Sequence, residues 1–238
     1  MTPSQPFRGS TRAFSMLAAL GAGAYAAHTV WTWAQFGRPV PPSDVERDES
    51  LDRFLPTYDV VERHHIHVDA PAAVTIEAAR TLDLLDGPIV RAIFKGRELI
   101  MGAANGGTRQ PRGLLDEVLS LGWVVLAEVP GREIVVGAVT KPWEPNPVFR
   151  SIPPDQFAAF AEPGYVKIAW TLRADPIDAG SSIFRTETRA LATDAFARNR
   201  FRTYWSFLSP GIWLIRRMML TPVKRAAERQ MPPVTTVC

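Results

Sequence analysis

Three of the chain's four histidines fall within one short stretch, Glu62-Arg63-His64-His65-Ile66-His67-Val68-Asp69-Ala70-Pro71. Imidazoles at this density raise two chemistries, metal ligation and proton transfer near neutral pH. The run is rich in Val, Ile and His and reads as a β-strand, in which alternate side chains point to opposite faces. His65 and His67 then share a polar face with Arg63 and Asp69. Their spacing suits two ligands of one metal, but zinc wants one or two more, and Arg63 adds positive charge beside the pair. The two read as solvated strand residues, and no metal and no cofactor is expected. His64 instead shares the apolar face with Val60, Ile66 and Val68. It is the candidate for a polar group in a pocket, able to orient a ligand or act as acid or base; a core-edge histidine with one satisfied hydrogen bond is the plainer reading.

The elements that would position His64 follow from periodicity. After a strand over 58–68, Asp69 and Pro71 look like a cap and first-turn proline, and Val74, Ala78, Leu82 and Leu85 recur at helical spacing. Gly87-Pro88 ends that helix, and a second is expected to about Met101. A glycine-containing loop and a short helix over 114–120 come next. "GWVVLAEV" and "EIVVGAVT", joined by Pro130-Gly131-Arg132, read as a hairpin. Pro142, Pro145 and Pro147 mark turns around Trp143, and a short helix fits within 153–160. Two alternating strands follow. The first sets Val166, Ile168, Trp170 and Leu172 against Lys167, Thr171 and Arg173. The second sets Phe184, Thr186 and Thr188 against Arg185, Glu187 and Arg189, a surface charge pattern on a face expected to be wet. Beyond Asp194, a plausible cap, Phe201, Trp205, Leu208, Ile212, Ile215, Met219 and Val223 form one helical stripe, with a kink or two abutting helices expected at Ser209-Pro210.

The 238 residues, 46% apolar and 21% charged, suit one domain with appendages or two small domains. The single cysteine, Cys238, excludes an internal disulfide and a structural thiolate zinc site. No phosphate-binding glycine loop, nucleophile elbow or paired-carboxylate motif stands out. Residues 13–36 carry no charged side chain and are long enough to span a bilayer; with Arg8 and Arg12 before them, a cytoplasmic tail over 1–12 and a domain on the outer face are expected. A cleaved signal ending at Ala24-Tyr25-Ala26, giving a secreted protein, is the alternative, and a buried helix of the domain is the third reading. Residues 37–55 read as a Pro-rich, acidic, solvated linker, 56–230 as the domain and 231–238 as a flexible tail. The last helix carries Arg198, Arg200, Arg202, Arg216, Arg217, Lys224, Arg225 and Arg229. This basic face suits a membrane surface, with no nucleic acid expected; its plainer reading is a solvated outer face. The sequence is silent on oligomeric state.

A strand, paired helices, antiparallel strands and a long closing helix, in that order, resemble the helix-grip fold of the SRPBCC superfamily, which includes START-type lipid-transfer and polyketide cyclase/dehydrase-like domains. "IHVDAP" before a helix resembles the superfamily's opening strand, and "FRTETRALATD" running into "ARNRFRTYWSFLSPGIWLIRR" its last strand and closing helix. The resemblance spans roughly 58–229 and implies an α+β fold, a curved antiparallel sheet wrapped around a long C-terminal helix, here with an N-terminal transmembrane or signal helix. It also implies an apolar cavity between sheet and helix. His64, Ile66, Trp170, Phe184, Thr186, Thr188, Tyr204 and Trp205 are the candidate lining residues. The function expected on that basis is membrane-tethered binding or transfer of a hydrophobic small molecule, lipid or polyketide-like. The alternatives are a cyclase/dehydrase-like enzyme with His64 as acid or base, and a non-catalytic interaction module whose cavity is filled by its own side chains.

Overall fold

The computed structural model describes residues 8–82 and 113–231. The helix expected over 88–101 lies outside them, as do Cys238 and most of the loop before residue 113. In chain order the elements are α1 (Arg8–Gln35), a single 3-10 turn (Asp44–Glu46), α2 (Glu49–Phe54), β1 (Val60–Val68), α3 (Ala72–Thr81), α4 (Leu114–Ser120), β2 (Val124–Val129), β3 (Glu133–Thr140), α5 (Pro154–Phe157), β4 (Val166–Pro176), β5 (Ser182–Ala192) and α6 (Ala195–Glu228). The five strands form one antiparallel sheet in the order β1-β5-β4-β3-β2, so the first strand pairs with the last. The chain is therefore α+β, with a five-stranded antiparallel sheet and a long C-terminal helix.

Alternation assigns the two faces. Ile66, Val68, Ile134, Val136, Trp170, Leu172 and Phe184 pack on the side of α3, α4 and α6, where Met219, Leu220 and Val223 meet them. On the other side Val135, Val139 and Ala169 pack against Leu51, Phe54, Leu55 and the fully buried Phe157. That second layer departs from the solvated linker expected over 37–55. Asp48 caps α2 by accepting from the Leu51 amide at 2.7 Å, and Leu51, Phe54 and Leu55 bring apolar surface down onto the sheet. Gly137 leaves the room this layer needs: a Cβ there would lie 2.9 Å from Phe157 Cε2.

Covering this face also buries charges expected in solvent. Arg189 is fully buried and Glu187 nearly so. The Arg189 guanidinium donates to Glu187 Oε1 at 2.6 Å, to the Leu55 carbonyl at 2.9 Å and to Asp52, while Arg63 reaches Glu187 Oε2 at 3.0 Å. The surface pattern expected for Arg185, Glu187 and Arg189 is thus, at its latter two positions, an internal ion network. The pairing is obligatory because an uncompensated charge beneath α2 would be strongly destabilising.

Residues 13–36, expected to be a membrane anchor or a signal, belong to α1 up to Gln35, with Phe36 in the turn that follows. Its C-terminal half lies along α6: the Tyr25 hydroxyl donates to the Phe207 carbonyl, His28 Nε2 lies 3.3 Å from Ser209 Oγ, and Phe36 packs edge-on to Phe201. Among the described residues no helix is long and apolar enough to cross a membrane. Of the kink or two abutting helices expected at Ser209-Pro210, two separate helices do not form: α6 runs through Pro210 and Pro222 as one helix. Pro210 has no N–H to give the Ser206 carbonyl, and the next carbonyl, that of Phe207, finds the Tyr25 hydroxyl. The Asp194 cap is present, accepting from the Ala197 amide at 2.7 Å.

Much of the basic character of α6 is turned inward on the protein itself. Arg198 pairs with buried Asp59 at 2.7 Å, Arg202 donates to the Trp33 carbonyl and stacks on its ring, and Lys224 binds Asp69 and Glu228.

Candidate functional site

The pairing of β1 with β5 brings most of the candidate residues together. Cα register sets Glu62 against Thr188, His64 against Thr186 and Ile66 against Phe184, and β4 adds Trp170 opposite Thr188. Directly opposed residues of an antiparallel pair lie about 5 Å apart, so these side chains form one patch on the face turned to α6. Across from them, the Trp213 ring stands edge-on to the His64 ring at 6.3 Å between centroids. Arg216, one turn further along α6, places its guanidinium carbon 4.8 Å from the centre of the Trp170 ring.

The polar atoms of this patch are poorly satisfied. Thr186 Oγ1, Thr188 Oγ1 and His64 Nε2 are buried with no hydrogen-bond partner among the described residues. His64 Nε2 does face Glu62 Oε2 at 3.6 Å, too long for a hydrogen bond and attractive only if the imidazole is protonated. A buried hydroxyl or imidazole nitrogen left unpaired costs about 1–3 kcal/mol, which makes three on one patch informative. Burial also pushes the Arg216 guanidinium down to about 10, and the Glu62 carboxylate offsets this only in part. Trp213, the ring facing His64, is itself 41% exposed.

The other candidates are distributed differently. Trp205 is buried at one end of the same face, packed with Phe36, Phe201, Val60 and Ala190. Tyr204 instead lines an open trough of about 620 Å³ on the flank of α6, with Trp143, Phe196 and Phe207. His65 is exposed, and His67 Nδ1 lies 3.4 Å from Asp69 Oδ1. Glu62, Trp213 and Arg216 join the patch without having been anticipated. A signal existed for Arg216: it lies four residues after Ile212 and three before Met219, on the buried stripe of α6, and its charge obscured that position.

Comparison with known proteins adds little to this geometry. No family model matches the chain, and no curated protein matches it. A hypothetical protein from Helicobacter pylori aligns at 6% identity and a TM-score of 0.39, covering 79% of this chain and 99% of that one. A protein from Thermus thermophilus aligns at 7% identity and a TM-score of 0.26, over 72% and 99% of the two chains. The Zhui aromatase/cyclase from a Streptomyces species aligns at 15% identity and a TM-score of 0.22, over 74% and 98%. Likeness this loose assigns neither family nor function.

Proposed function

We propose that the chain binds a hydrophobic small molecule, lipid or polyketide-like, between the sheet and α6 in the manner of a helix-grip domain. The carrying observation is the set of unpartnered buried atoms on one patch, His64 Nε2, Thr186 Oγ1 and Thr188 Oγ1, framed by apolar Ile66, Phe184 and Trp170. Apolar walls with a few convergent polar groups are what a small-molecule site consists of, and a ligand's polar end would satisfy atoms that the protein leaves bare. Native mass spectrometry of the purified chain tests this directly. A co-purifying apolar adduct that is lost in the Thr186→Val/Thr188→Val double variant is the expected result. A bare chain whose mass is unchanged after exposure to long-chain lipids would favour an interaction module with a filled interior.

A second reading draws on one contact. The Glu62 carboxylate 3.6 Å from His64 could hold the imidazolium of an acid–base pair, which would make the site catalytic toward a bound ligand. Replacing His64 by Gln separates the two: the amide keeps a hydrogen-bonding group for the ligand, so binding is retained under both, and only an enzyme loses turnover.

A further inference from the structure

The ring of groups around Thr186 and Thr188 is unequal in kind. Two hydroxyls and a guanidinium supply donors, and His64 adds an imidazole nitrogen that is a donor or an acceptor according to tautomer. Against these stands one carboxylate, Glu62, opposite Thr188 in the sheet. Arg216 lies over Trp170, the residue that flanks Thr188 on the other side. Among the described residues no carboxylate lies within ion-pair distance of Arg216, whereas Arg63, Arg173, Arg185, Arg189 and Arg198 each have one. The Arg216 guanidinium lies part-buried against the Trp170 indole with no ion partner among the described residues, so it is free to take an anion. Its planar fork matches the two oxygens of a carboxylate or phosphate, and Trp170, which it overlies, is the register partner of Thr188.

We infer that the ligand is an amphiphilic oxyanion, its headgroup held by Arg216 with Thr186 and Thr188 and its apolar body laid along Ile66, Phe184 and Trp170. This rests on the binding reading above and narrows it: a neutral lipid or sterol would leave Arg216 unmatched. The carboxylate of Glu62 then works as a selector, repelling any headgroup that does not engage Arg216 and tolerating one that does. Sulfonate, phosphate and carboxylate heads share the required chemistry, and the hydroxyl of an alcohol lacks the charge.

The test uses the full chain and two probes of equal length, decanoate and decanol, at concentrations below micelle formation, with binding read by quenching of tryptophan fluorescence and by calorimetry. Decanoate is expected to bind the wild-type chain at least tenfold more tightly than decanol. Arg216→Met should bring the two affinities together, and Arg216→Lys should restore part of the difference. Equal binding of both probes by the wild-type chain, or a preference that survives Arg216→Met in a folded variant, overturns the headgroup assignment and leaves hydrophobic binding standing. Binding of neither probe sinks the binding reading itself. The wild-type comparison needs no variant to fold, so the inference stays exposed to failure in every case.

Discussion

Arg189 and Glu187, two positions apart on β5, point to the same side and pair at 2.6 Å with both side chains shut off from water. Glu187 also accepts from Arg63, so one carboxylate compensates two guanidinium groups. Asp52, the other carboxylate on Arg189, is about half exposed. Glu187→Gln should therefore destabilise the chain by roughly 3 kcal/mol, the scale for removing one partner of a buried pair. Asp52→Asn should cost no more than about 1 kcal/mol, as for exposed pairs. Urea midpoints of the two variants check the ranking; equal losses would show that α2 does not seal this network.

Glu133 sits at the start of β3, buried, with one oxygen accepting from Ser50 at 2.9 Å. Burial, and then the neighbouring Asp48 carboxylate, push its carboxyl up to about 7. The folded state thus holds a proton that the unfolded chain releases near pH 4.5. Stability should fall as pH rises from that value to about 7 and flatten above it. Glu133→Gln should remove this slope, as measured by thermal unfolding between pH 4.5 and 8.

The two threonines offer a trade between stability and binding. Thr186→Val and Thr188→Val each replace an unpartnered buried hydroxyl with a methyl of the same shape. Each should stabilise the ligand-free chain by about 1 kcal/mol while weakening decanoate binding. Loss of stability instead would mean that the hydroxyls already have partners in solution.

Gly137 has no room for a side chain, because a Cβ would press on Leu126 and on the Phe157 ring. Gly137→Ala should cost on the order of 1–3 kcal/mol through overpacking. The paired change Gly137→Ala with Phe157→Leu should recover part of it, and a chemical-denaturation cycle over the four proteins measures the coupling.

Local pattern was enough to locate the sheet. Apolar runs on either side of Pro130-Gly131-Arg132 marked the hairpin and period-two alternation the two long strands, and alternation divided the histidines between faces, because a strand's side-chain direction is a local property. Burial of the charged face is not local. Arg189 and Glu187 look solvated until Leu51, Phe54 and Leu55 cover them from more than 130 positions away, and those three, spaced as one turn of helix, were masked by the acids around them. Arg216 was hidden in the same way, by reading charge ahead of helical phase. The continuity of α6 through Pro210 was equally out of reach, since it depends on contacts from α1.

Those contacts distinguish two lengths of α6. Ahead of Pro210, Phe201 and Trp205 pack on Phe36 together with Val60, Val166 and Ala190 of the sheet, while Phe207 and Ser209 meet Tyr25 and His28 of α1. Beyond it, Met219, Leu220 and Val223 answer to the sheet and α3. Trp213 and Arg216 fall just past the divide, where the backbone ladder lacks a rung. The groups that cover the patch therefore follow a missing rung of the longest helix, and α1, bonded to Phe207 and Ser209 beside that gap, acts as a splint for the cover.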